Sequence, residues 1–204
     1  GYKNAYVAGK VANAYFEKFK PAGFKDVKVV YLHASPPHRI NMKIPIRKLE
    51  DLKGRKIRST GTSAKVVSAL GGAPVSMSMG EAYDAISKGV AEGIAAPFEA
   101  LKGFKLADVV SYSTGYDSAY ANAAYVVMNK DKWEGLPRDV QAIIDEINQE
   151  YMENHAKLWD ELDEGGKKFF LENGGEIITL SAEENARWTS RLRPILDEYV
   201  KEKK

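Results

Sequence analysis

Between Arg55 and Leu106 short apolar segments alternate three times with helical ones, and this rhythm restricts the fold more than any other feature of the chain. Each helix must carry the chain back over one sheet, which gives parallel strands, right-handed crossovers and a ligand position beyond the carboxyl ends of the strands. Arg55 to Ser59 reads as a strand and Thr62 to Leu70 as a helix closed by Gly71 and Gly72. Pro74 to Met77 is the next strand. Ser78 and Glu81 have capping-box spacing ahead of a helix over Gly80 to Lys88. Val90 to Ala96 supplies the third strand, and Pro97 suits the first turn of the helix after it. Arg58, Met79 and Ala96 are thereby placed near strand ends.

The flanks read as a second lobe. Val11 to Phe19 is an amphipathic helix, and Val27 to Leu32 a β-branched strand ahead of an Ala-Ser-Pro-Pro turn. Val109 to Ser113 and Ala119 to Met128 are further extended segments. From Leu136 apolar residues recur at three- and four-residue steps through Leu162, which predicts a very long helix, with Gly165 and Gly166 placed to kink or break it. Glu176 to Leu180 reads as a strand. Ser181 and Glu184 form a second capping box for a final helix that Pro194 bends or stops.

The stretch from Leu49 to Arg58 delivers an arginine to the end of a strand just before a Ser-Thr-Gly-Thr-Ser turn. A guanidinium there offers a planar, permanently charged fork to a carboxylate, so the chain is expected to bind a small organic anion. The competing reading is an exposed strand arginine. Thirty basic and 28 acidic residues are interleaved for a net charge of +2, which disfavours nucleic acid. No cysteine is present, so disulfides, thiolate metal sites and a cysteine nucleophile are excluded. The histidines His33, His38 and His155 lack zinc-motif spacing, and the first two flank a Pro-Pro turn expected at the surface; no metal site is predicted. Ser59, Thr60, Thr62 and Ser63 lack a nucleophile elbow and are expected to cap and to contact an anion. The glycines form no nucleotide fingerprint. No apolar run reaches the roughly 20 residues of a membrane span, and an exported form would have lost its signal.

Asp51-Leu52-Lys53-Gly54 with Lys56-Ile57-Arg58, Leu70-Gly71-Gly72-Ala73-Pro74-Val75, Glu81-Ala82-Tyr83, Gly89, Glu92-Gly93 and Pro97 occur in order. Met128-Asn129-Lys130, Trp133 and Leu136-Pro137-Arg138-Asp139-Val140-Gln141 follow. With these residues at these spacings the sequence resembles the solute-binding subunit of tripartite ATP-independent periplasmic (TRAP) transporters, lacking about the N-terminal third. The resemblance implies an α/β fold of the periplasmic binding protein-like type II class, two lobes with a long kinked helix spanning both. By the family's layout residues 1–36 and 122–161 are the remnant of the first lobe, and 37–121 with 162–204 the second. Part of the cleft then lies on residues outside this sequence, lost by cleavage or supplied by another chain.

The same resemblance implies a periplasmic, non-enzymatic receptor without a cofactor, which delivers an organic acid to a TRAP membrane permease. It makes Arg58 the carboxylate-binding arginine and sets Arg39, nineteen residues earlier, near a second ligand-facing arginine. A surface arginine is the alternative for Arg39. Met79 stands where sugar-acid receptors often carry an aromatic residue, and Ala96 where they commonly carry asparagine. These departures favour an apolar body behind the carboxylate, against a reading of both as ordinary core. Tyr120, or Tyr116, is expected to line the cleft, whereas Glu99 reads as a first-turn helix residue. The other functional classes are an effector-binding domain of a regulator and a small enzyme on the same fold.

Overall fold

The computed structural model describes residues 2–117 and 119–202. In chain order the elements are α1 (Ala5–Phe19), β1 (Val27–Ala34), β2 (Arg39–Met42), β3 (Lys56–Arg58), α2 (Thr62–Ala69), β4 (Ala73–Val75) and α3 (Met79–Ser87). They continue with β5 (Gly93–Ala96), α4 (Phe98–Gly103), β6 (Tyr112–Gly115), β7 (Ala123–Asn129), α5 (Lys130–Glu134), α6 (Arg138–Glu172), β8 (Glu176–Thr179) and α7 (Ala182–Glu202). The chain divides into two compact units, one built on residues 38–119 and 163–202, the other on 2–37 and 120–162.

The larger unit holds a six-stranded sheet in the order β4-β3-β5-β2-β6-β8. The expected alternation is present, and β3 runs parallel to β4 and to β5. The sheet as a whole is mixed, because β2 lies between β5 and β6 and is antiparallel to both. Beneath it Ile86, Ile94, Leu101, Leu106 and Phe170 form a core with no exposed surface, and burial of side chains of this size contributes about 1.5–3 kcal/mol apiece. The Ser78–Glu81 capping box forms at the start of α3. Pro97 occupies the N-cap of α4 rather than its first turn. β6 starts at Tyr112, later than expected, because Leu106–Asp108 coil into a 3-10 turn.

The smaller unit pairs β1 with β7 antiparallel. Val11, Tyr15 and Phe19 of α1 and Tyr125 and Val127 of β7 stay exposed there. β7 starts at Ala123, so the residues just before it are not part of the strand.

Gly165 and Gly166 do not break α6, which continues over 35 residues. Gly166 instead admits close packing: a β-carbon there would lie 2.3 Å from the Phe98 carbonyl oxygen. Pro194 does not stop α7, which runs on to Glu202. The second capping box forms in half. Ser181 Oγ accepts from the Glu184 N–H, while the Glu184 carboxylate accepts from the Leu49 N–H at 3.0 Å. Among the described residues no helix is long and apolar enough to cross a membrane.

Candidate functional site

One end of the six-stranded sheet gathers most of the chemistry. Arg58 closes β3, Ala96 closes β5, and Arg39, which opens the antiparallel β2, lies opposite Ala96. Arg58 is only 8% exposed, and its Nε and Nη2 donate to the Met77 carbonyl at 3.2 and 2.9 Å. Such a fork fixes the plane of the guanidinium, the geometry that recognition of a carboxylate depends on. Arg58 is therefore not the exposed strand arginine of the competing reading.

His38 is its neighbour. It was expected at the surface; it is 8% exposed instead, because the turn after Pro37 leads directly into β2 at the sheet centre. Burial pushes its imidazole down to about 4, helped by the charge of Arg58 and opposed by a hydrogen bond to the Ala95 backbone. The ring is neutral at pH 7. His33, also expected at the surface, is half-buried in the smaller unit, where its ring stacks 4.5 Å from that of His155.

Arg39 is half-buried and tied into the sheet. Its Nε donates to Ser113 Oγ at 2.8 Å, its Nη2 to the Ser113 carbonyl at 3.2 Å, and its guanidinium carbon lies 4.5 Å from the centre of the Phe98 ring. Ser113 Oγ passes the chain on to Asn41 Oδ1 at 2.7 Å, and Asn41 Nδ2 donates to the Ala96 carbonyl at 2.9 Å. Asn41 has no exposed surface, so this network satisfies a polar group that would otherwise be costly to bury. The surface reading of Arg39 does not hold.

Ala96 is 1% exposed and belongs to the apolar core cluster, and Met79 is half-buried and packs against it, the ordinary-core placement. Tyr116 is buried against Trp188, ring centres 5.3 Å apart, whereas Tyr120 is half-buried in the smaller unit. Of the hydroxyls expected near an anion, Ser59 donates to the Ile57 carbonyl and Ser63 turns back on Thr60, donating to its carbonyl at 2.6 Å. They close the loop before α2 rather than present themselves outward.

Two carboxyls adjoin this region. Asp163 Oδ1 accepts from the Glu99 N–H at 3.0 Å, and burial lifts its carboxyl to about 6 despite that bond and the nearby Arg39 charge. Glu99 is raised by burial and then by Asp163. His38 and Asp163 are the residues that sequence reasoning missed. The Pro-Pro-His order gave no sign of burial, and Asp163 stood in an ordinary charged helix face. Among the described residues no three metal-ligating side chains come together.

The sequence profile of the DctP family, described as bacterial extracellular solute-binding protein, family 7, matches residues 2–203. The chain belongs to this family. Its relatives include the C4-dicarboxylate-binding periplasmic protein DctP of Rhodobacter capsulatus, 30% identical over 76% of this chain and 47% of that protein. Among solved structures, a TRAP periplasmic solute binding protein from Desulfovibrio salexigens is 30% identical with a TM-score of 0.85, over 98% of this chain and 62% of that one. A marine metagenome TRAP solute binding protein described as specific for aromatic acid ligands, in complex with metahydroxyphenylacetate, is 27% identical with a TM-score of 0.90, over 98% of this chain and 64% of that one. The DctP-family chain spans about half the length of the curated relatives it matches. Its α/β architecture is that of the TRAP solute-binding proteins.

Proposed function

We propose that this chain forms the carboxylate-anchoring part of an extracytoplasmic receptor that binds a small organic acid and presents it to a TRAP-type membrane permease. The observation that carries the reading is Arg58, a buried guanidinium oriented by the Met77 carbonyl at the carboxyl ends of parallel strands. Arg58 neutralises the carboxylate, and the apolar Met79 and Ala96, which pack into the core, are further candidates for the apolar side of the site. His38 lends a neutral ring beside the charge. Arg39 is a further candidate for the site. Binding is at equilibrium, with no bond made or broken, and the family's description as extracellular solute-binding proteins supports a periplasmic setting. Ligand binding shifts a receptor only by its differential affinity for two states, which a permease then reads.

The Rhodobacter capsulatus relative is named for C4-dicarboxylates and the marine receptor is described as specific for aromatic acids. Methionine at 79 and alanine at 96, rather than polar side chains, support the second kind of ligand, a monocarboxylate with an aromatic or branched body. The exposed apolar residues of α1 and β7 support reading the smaller unit as the remnant of a first lobe. A thermal-shift screen with aromatic, branched and C4 acids tests the function, because a ligand selective for the native state raises its stability. The best acid is expected to lose its shift in Arg58→Ala. An unchanged shift in that variant would remove Arg58 from the site.

A further inference from the structure

Inside the smaller unit β1 and α6 meet through a stack of rings. The His33 ring of β1 lies 4.5 Å from that of His155 of α6, inclined by 30°. Trp159, one turn further along α6, has its ring 6.5 Å from the first imidazole and 6.1 Å from the second. The two imidazoles have unequal surroundings. Tyr31 Oη lies 3.2 Å from His155 Nδ1, whereas His33 Nδ1 is buried without a hydrogen-bond partner. A hydroxyl both donates and accepts, so Tyr31 can serve His155 as the neutral ring or as the imidazolium. Burial, and then Tyr151, hold this phenol above its ordinary 10, which keeps the proton that the role requires.

We propose that His33 and His155 form a one-proton lock between β1 and α6: a single positive charge is accommodated on His155, and a second, on His33, parts the stack. The first charge donates to Tyr31 and lies against the face of Trp159. No partner among the described residues receives the second. Like charges with rings 4.5 Å apart repel, and a buried charge without a partner is costly. Burial, and then His155, already hold His33 below its ordinary 6.5, so a more acidic solution is needed to charge it than a free imidazole requires. The neighbouring charged groups are engaged elsewhere. On α6 Asp145 pairs with Lys28 of β1 at 2.8 Å, Glu153 pairs with Lys157 at 3.3 Å, and Asp160 accepts from the Ala5 and Tyr6 N–H groups of α1. Against His33, α1 presents the bare Gly9 while its Lys10 lies over the Tyr6 ring, and β7 brings Ala124 into register. The lock does not depend on the reading of Arg58.

The chain has three histidines, so imidazole NMR gives three titrations, assigned with His33→Gln, His38→Gln and His155→Gln. Between pH 8 and 4, His33 and His155 are expected to titrate in two linked steps at least about one pH unit apart, each ring reporting both. His155→Gln is expected to give His33 a single step at higher pH than in the native chain, and His38→Gln to leave both steps in place. Two independent titrations, or an unmoved His33 in His155→Gln, would overturn the proposal. The parting of the stack is a local opening, read from deuterium exchange of the β1 amides corrected for the intrinsic rate. Their protection is expected to fall at least about tenfold across the second step in the native chain and to hold in His33→Gln. Protection that persists in the native chain across that step would mean coupled rings without a lock, and would also overturn it. If a variant does not fold, the titration and exchange of the native chain decide alone.

Discussion

Gly166 of α6 lies against the backbone of Phe98, so close that a β-carbon would stand 2.3 Å from its carbonyl oxygen, whereas a β-carbon on Gly165 would meet nothing within 4 Å. Two adjacent glycines in one helix therefore have opposite worth. Gly165→Ala is expected to stabilise by about 0.5–1 kcal/mol, the helix-propensity gain of alanine over glycine. Gly166→Ala is expected to destabilise by about 1–3 kcal/mol, because the obstacle is backbone and must move. Urea unfolding of both variants checks this. A stabilised Gly166→Ala would show that the contact is loose.

Acid should reveal two opposed groups. The His38 ring lies at about 4 in the fold against its usual 6.5, so as pH falls from 6.5 towards 4 the unfolded chain takes up a proton that the fold refuses. Stability from this group is lost over that window, by up to about 3 kcal/mol. Asp163 moves the other way, at about 6 against 3.8, so the fold binds its proton first and gains stability as pH falls from 6 towards 3.8. Its gain is also up to about 3 kcal/mol. The native chain is expected to respond weakly between pH 6 and 4. His38→Gln should gain relative to the native chain on acidification, and Asp163→Asn should lose. Denaturant midpoints at pH 7, 5.5 and 4.5 measure the divergence, and parallel curves would refute it.

Asn41 is expected to tolerate no simple truncation. Asn41→Ala leaves the Ser113 hydroxyl and the Ala96 carbonyl without their partner in a buried place, for which about 1–3 kcal/mol is usual. Because the network ends on Ala96 and Arg39, loss of acid affinity should accompany loss of stability. Calorimetry beside a melting curve tests whether both fall.

Ser78→Ala is expected to cost about 1 kcal/mol, since it removes the capping box that opens α3. For a chain of this size that corresponds to a fall of about 2–4 °C in Tm. An unchanged Tm would mean that the cap is replaced by water.

The stretch from Lys56 to Ala96 was legible because its signals are local. Its apolar strands are brief, glycine follows α2 and α3, and the serine and glutamate of the cap are three residues apart. β2 was not legible. Arg-Ile-Asn-Met carries no strand signature, and the partners that make a buried asparagine affordable are 55 and 72 residues away in sequence. His38 was missed for the same reason, since its burial comes from strands that a turn motif does not announce. The two glycines of α6 and Pro194 of α7 were read by helix propensity, and tertiary packing overrode it. The place of Arg58 at the end of a strand could be read from its own neighbourhood. The seat of Arg39 could not, because Gly115, Phe98 and Ser113 share no local pattern.

The short strand β2 carries a dynamic consequence. With neighbours hydrogen-bonded along both of its edges, its amides are released to solvent deuterium only when the whole sheet opens. In an isotope-exchange time course Ile40 and Met42 should therefore be among the last to acquire label, long after the ends of α1 and α7.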